Sequence, residues 1–258
     1  MTTTDPILLT GGTGNLGRHV LPLLREAGCE VRVLSRRPHE SDDDGVSYVV
    51  GDLTSESGGT REAVAGVRTV VHLAGASKGD DVTTARLVRA AVEAGTVGHF
   101  LLISVTGADR LPFAYMRAKA GAERAVVDSG LPYTILRAAQ FHDLVLTVVR
   151  ALTKLPAVPA PGALNARPVD VREVAARVAA LALAGPAGRA PDIVGPTVYT
   201  VPALIRSYLR ATGKRRLLVP LPMPPKTARA YREGASLGAE GAEVGEGTWE
   251  DFLASHVR

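Results

Sequence analysis

The chain has one cysteine, Cys29, in 258 residues, so no disulfide can close within it. Aromatic residues make up 4% of the sequence, and no basic strip is interleaved with them. A surface that stacks nucleic-acid bases is therefore not expected. No apolar run approaches the ~20 residues of a membrane-spanning helix, and Met1-Thr2-Thr3-Thr4-Asp5 lacks both the basic flank and the apolar core of an export signal. These absences lead us to expect a cytoplasmic protein with neither a membrane nor a nucleic-acid partner. The six histidines and the lone cysteine show no paired ligand spacing, so no metal site is expected either. The formal net charge of +4 reads as an arginine-rich solvated surface. At 46% hydrophobic content the chain can bury one large core, or a large domain with a small companion.

What the sequence does contain is a glycine string, Thr10-Gly11-Gly12-Thr13-Gly14-Asn15-Leu16-Gly17. It follows the apolar run Ile7-Leu8-Leu9 and precedes helical spacing at Leu16, Val20, Leu23 and Leu24, so it sits at a strand-to-helix turn. There Gly11 can turn the chain sharply, Gly14 lets the backbone approach a pyrophosphate, and Gly17 lets the new helix pack closely on the sheet. The helix N-terminus adds unpaired N–H groups and partial positive charge. Pro22 falls inside this helix and removes one of its backbone bonds.

Strands and helices then alternate. Ile7 to Thr10, Val31 to Leu34, Val46 to Val50, Thr69 to Ala74, Phe100 to Val105 and Tyr133 to Arg137 read as short buried strands, with helices over Val82 to Ala94 and Ala114 to Ser129. Such alternation predicts an α/β fold with a doubly wound parallel sheet. Beyond Gln140 the rhythm changes, with helices over Val171 to Ala184 and Pro202 to Thr212 separated by loops. This predicts a nucleotide-binding domain over 1–141 and a small C-terminal substrate lobe over 142–258, interleaved with the first. Gly234 to Gly247 reads as a mobile segment or a poor helix. Lys214-Arg215-Arg216 reads as a solvated turn before a strand-like Leu217-Leu218-Val219, and Asp42-Asp43-Asp44 as a solvated loop.

Tyr115 and Lys119 are four apart on a predicted helix and share a face. A neighbouring ammonium favours the phenolate of a tyrosine, which suits it to acid/base work, and the same ammonium can donate to ribose hydroxyls. Ser104, at the end of the fifth strand, falls on the carboxyl edge of the sheet, where a hydroxyl can steady a carbonyl oxygen. The second strand ends in Leu34-Ser35-Arg36-Arg37. An acidic residue there would favour NAD, whereas the Arg36 and Arg37 guanidiniums and the Ser35 hydroxyl suit a 2′-phosphate, so NADP(H) is the expected cofactor.

The glycine string, Gly51-Asp52-Leu53, His72-Leu73-Ala74-Gly75, Tyr115-x-x-x-Lys119 and the run Ser129 to Arg137 together resemble atypical short-chain dehydrogenases/reductases of the NmrA-like branch. The resemblance spans most of residues 6–225. It implies a Rossmann-type fold binding NAD(P), with Asp52 and Leu53 near the adenine, Ala74 and Gly75 near the cofactor ribose, and Tyr115 and Lys119 in the active site. It also implies that Gln140, Phe141 and His142 line the substrate cleft. Ala138 stands where many relatives carry proline. The branch holds true reductases as well as proteins that bind the nucleotide as redox sensors. The expected function is NADPH-dependent reduction of a carbonyl, quinone or activated double bond in a small hydrophobic molecule, the alternative being an NADP(H)-sensing regulator. Nothing in the sequence sets the oligomeric state.

Overall fold

The computed structural model describes residues 6–41, 43–55, 59–75 and 78–257. Along the chain run β1 (Ile7–Thr10), α1 (Gly17–Glu26), β2 (Val31–Ser35), β3 (Val46–Val50), α2 (Thr60–Val64), β4 (Thr69–His72), α3 (Asp80–Ala94), β5 (His99–Val105), α4 (Ala114–Val127) and β6 (Tyr133–Ala138). There follow α5 (His142–Leu152), β7 (Ala157–Ala160), β8 (Asn165–Ala166), α6 (Val171–Ala184), β9 (Gly188–Arg189), β10 (Ile193–Val194), β11 (Tyr199–Thr200), α7 (Val201–Ala211), β12 (Leu217–Pro220), α8 (Pro225–Arg232), β13 (Glu243–Val244) and α9 (Trp249–His256).

Two compact units are interleaved in sequence. Unit 1 comprises Met1–Ser104, Arg117–Leu136 and Val174–Ala190. Its strands lie in the order β6-β5-β4-β1-β2-β3. β1 pairs in parallel with β2 and β4, β2 with β3, and β4 with β5. The chain first builds outward from β1 to β3 and then returns to the other side of β1 with β4, so the winding reverses between β1 and β4. That reversal opens a crevice at their carboxyl ends, where such sheets bind ligands. The strands are apolar because both sets of alternate positions are buried: Leu8, Val70, Phe100 and Ile135 form one cluster with Leu87, Val88 and Ala91 of α3 and Val126 of α4, and Leu9, Val33, Val71 and Leu101 are fully buried as well. Pro22 is tolerated within α1 because it is exposed, so the carbonyl that loses its donor lies on the solvent side.

Unit 2 comprises Val105–Met116, Arg137–Glu173 and Pro191–Arg258. Within it β10 pairs in parallel with Ala138 and with β13, and two small sheets join β11 to β8 and β12 to β7. Its core gathers Leu146, Val149, Val158, Ile205, Trp249 and Phe252.

The division departs from the expected boundary at 141. Residues 105–116 already belong to unit 2, and α6 returns the chain to unit 1 from Val174. Gly234 to Gly247 forms no helix, and hydrogen bonds hold its backbone at several points. The Asp192 carboxylate accepts the Ala239 N–H, Glu173 accepts the N–H groups of Glu246 and Gly247, and β13 extends the pairing of β10. Asp42 lies outside the described residues, while Asp43 is tied to Arg25 by an ion pair of 2.8 Å.

Candidate functional site

Within the glycine turn, Gly11 and Gly17 are required by the fold. Gly11 has φ +72°, and a Cβ on it would lie 2.6 Å from the Ala74 nitrogen. A Cβ on Gly17 would overlap the Gly11 carbonyl and the Gly12 backbone, so this position seats α1 against the turn. Gly14 differs: among the described residues a Cβ there would meet only the Gly11 oxygen, at 3.1 Å. The first turn of α1 has no side-chain cap, and Thr13 and Gly14 are exposed beside it, with Asn15 half-buried and Leu16 in the core. An uncapped helix start beside an exposed glycine fits an anion such as a pyrophosphate.

At the end of β2, Ser35 is buried and its hydroxyl accepts the Arg37 N–H at 3.2 Å, while Arg36 and Arg37 are exposed. The Asp52 carboxylate accepts the Thr54 N–H at 2.8 Å. That bond, with the Thr54 hydroxyl and then the charges of Arg36 and Arg86, holds the Asp52 carboxyl below the usual range. Arg86 of α3 donates to the carbonyls of Leu53 and Thr54, fixing this loop.

Between β1 and β4 lies a buried polar chain. Thr10 Oγ1 is 2.6 Å from His72 Nδ1 and accepts the Ala74 N–H at 3.2 Å, and His72 Nε2 meets Thr84 Oγ1 at 3.1 Å. Burial pushes the His72 imidazole down to about 4, so it is neutral near pH 7, and through Thr10 the chain of contacts reaches the Ala74 backbone.

Beside it, Lys119 Nζ stands 3.0 Å from Asp80 Oδ2, and both side chains are buried. The same ammonium lies 3.4 Å from where a Gly75 Cβ would be. Unit 1 thus brings together Lys119, Gly75, Ala74 and the glycine turn, and adds Asp80, which pattern reading missed. Its first-turn position after Gly79 reads as ordinary helix-dipole chemistry.

Ser104 is placed differently from expectation. It is buried, and its hydroxyl donates to Glu123 Oε1 at 2.6 Å, while Arg189 meets Glu123 Oε2 at 2.7 Å. Its one hydrogen is directed at a carboxylate and not at the crevice. Glu123 was detectable in principle, since it follows Lys119 by one helical turn.

Tyr115 is 39% exposed at the start of α4. Gln140 and Phe141 are half-buried, their backbone paired with Val169. His142 is fully buried in unit 2, with ring centroids 6.0 Å from Trp249 and 5.2 Å from Phe252, so it faces a core and lines no cleft. Burial pushes its imidazole down, and the nearby carboxylates oppose this only in part. A hydrolase-like string, Gly75-Ala76-Ser77-Lys78-Gly79, is also present. That pattern works at a tight strand-to-helix elbow, whereas residues 73–79 separate the end of β4 from α3 here, with Ala76 and Ser77 outside the described residues.

A family model described as NAD(P)H-binding matches residues 11–182. A (4-alkanoyl-5-oxo-2,5-dihydrofuran-3-yl)methyl phosphate reductase of Streptomyces griseus is 31% identical, over 92% of this chain and 89% of that protein. Quinone oxidoreductase 2 of Escherichia coli is 25% identical, over 81% and 75% respectively. Among solved structures, Citrobacter triphenylmethane reductase complexed with NADP(H) superposes with a TM-score of 0.76 at 21% identity, covering 98% of this chain and 100% of that one, a likeness of fold. With the glycine turn, the reversed winding and the family match in agreement, the chain belongs to the NAD(P)H-binding family, in keeping with its resemblance to the NmrA-like reductases.

Proposed function

We propose that the protein is an NADPH-dependent reductase acting on a carbonyl, quinone or activated double bond of a small hydrophobic molecule. The observation that carries this reading is the meeting of the glycine turn, Gly75 and the Lys119–Asp80 pair at the carboxyl ends of β1 and β4. The activities of the furanone phosphate reductase and the quinone oxidoreductase support the substrate class. The start of α1 and Gly14 hold the pyrophosphate, Lys119 donates to the ribose hydroxyls, and Asp52 with Leu53 borders the adenine. Arg36, Arg37 and Ser35 take the 2′-phosphate. NADPH, when bound, supplies hydride. Tyr115, one turn before Lys119, gives the proton to the substrate oxygen. Gln140 and Phe141 border the substrate. Ser104, its hydrogen committed to Glu123, anchors β5 to α4 and does not steady the oxygen.

One observation favours the sensor reading. Lys119 is balanced by Asp80 and Ser104 by Glu123, so two groups of the expected catalytic trio are already satisfied within unit 1. The deciding experiment follows NADPH oxidation against quinones, aldehydes and ketones. Turnover supports the reductase; tight NADPH binding without turnover of any of them supports the sensor.

A further inference from the structure

The basic run Lys214-Arg215-Arg216 has no part in the site above. In unit 2 it joins Arg206 and Arg210 of α7 along one open groove, whose single carboxylate is Glu250. Glu250 is engaged locally, accepting from Ser207 at 2.9 Å and from the Tyr199 hydroxyl. Five cations against one carboxylate leave the groove with a formal charge of +4, which is the formal net charge of the entire chain.

Strand β12 begins where the cations end. Leu217, Val219 and Leu221 are 68%, 43% and 48% exposed, Pro220 between the last two is exposed as well, and Leu218 is half-buried against the core of unit 2. A single exposed leucine needs no explanation. Three exposed large aliphatic groups within five positions, the first of them lining the cationic groove, have the composition of a surface that lies in a membrane interface.

We propose that this face of unit 2 docks on an anionic lipid surface, its cations among the headgroups and Leu217, Val219 and Leu221 entering the acyl boundary. No helix among the described residues is long and apolar enough to cross a membrane, so the attachment is peripheral. Nucleic acid fits less well, because the one aromatic side chain of the groove, Tyr199, is bound to Glu250 and offers no stacking platform. An acidic peptide added to β12 would meet Pro220, which has no N–H, and would leave the aliphatic groups in water. The proposal needs no cofactor and stands apart from the reductase reading.

Co-sedimentation tests it, with vesicles of phosphatidylcholine containing about 30% phosphatidylglycerol against phosphatidylcholine alone, in about 0.1 M and about 0.5 M salt. The protein should bind only the anionic vesicles and leave them at high salt. Arg215→Ser with Arg216→Ser should weaken binding by roughly 25-fold, about fivefold for each cation. Leu217→Ser with Val219→Ser should weaken it by about tenfold although no charge changes. Melting curves and NADPH binding report whether each variant is folded. Absence of binding to anionic vesicles, or equal binding to both kinds, would overturn the proposal. So would undiminished binding by the Leu217/Val219 variant, or equally tight capture of a soluble acidic polypeptide or nucleic acid, either of which would make the groove a plain polyanion site.

Discussion

Asp80→Asn removes one charge from a pair with little water around it. The side chains of Lys119 and Asp80 are 8% and 1% exposed, and the nitrogen and oxygen are 3.0 Å apart. The amide keeps the size of the carboxylate but withdraws the counter-charge from a buried ammonium, a change that costs about 3 to 5 kcal/mol. The lower end applies here, because the ammonium lies beside the exposed Gly75, where water can reach it. For a chain of this length about 3 kcal/mol lowers Tm by roughly 6 to 12 °C. A double variant that replaces the whole pair by apolar groups, Asp80→Leu with Lys119→Met, strands no charge and should recover most of the loss, since an apolar replacement of a buried pair is close to neutral. Calorimetric or circular-dichroism melting of the wild type, the single and the double variant decides the matter. A loss below about 1 kcal/mol in the single variant, or a double variant no more stable than the single, would refute the reasoning.

His72 gives a pH prediction. Its folded-state value of about 4 lies below the ordinary 6.5, so the unfolded chain binds the proton more readily. Stability from this group is fully present above pH 6.5 and is lost as pH falls toward 4, on the order of 3 kcal/mol in all; denaturant titrations of His72→Gln should lack that part of the acid slope. Gly17→Ala should unfold or strongly destabilise unit 1, whereas Gly14→Ala should melt within a few degrees of wild type while NADPH affinity, measured by calorimetry, falls at least tenfold, about 1.4 kcal/mol. Arg36→Ala should weaken NADPH by about 1.5 to 3 kcal/mol more than NADH in the same titrations, and equal losses would make Arg36 structural.

The glycine turn was legible because its requirements are local: a positive φ at Gly11 and a close approach at Gly17 can be met by one residue type within eight positions. β1 and β3 begin and end where their apolar runs do, for the same reason. Asp80 was not legible, because Lys119 reaches it only after β5 and α4 have folded over the sheet, and Arg189 reaches Glu123 only because the chain returns to unit 1 through α6. His142 was misread since its ring neighbours, Trp249 and Phe252, lie a hundred residues later. Ser104 was placed at the right strand end, but the direction of a hydroxyl depends on its partner, and that partner sits on the next helix.

The central claim is that NADPH held in unit 1 is oxidised with a proton from Tyr115, and steady-state NADPH oxidation by the wild type and Tyr115→Phe, measured with a quinone or carbonyl that the wild type reduces, tests it most directly. The account predicts unchanged NADPH affinity and a kcat lower by roughly 10²-fold in the variant. Full turnover by Tyr115→Phe, or a wild type that binds NADPH and reduces no quinone, aldehyde or ketone, would contradict it.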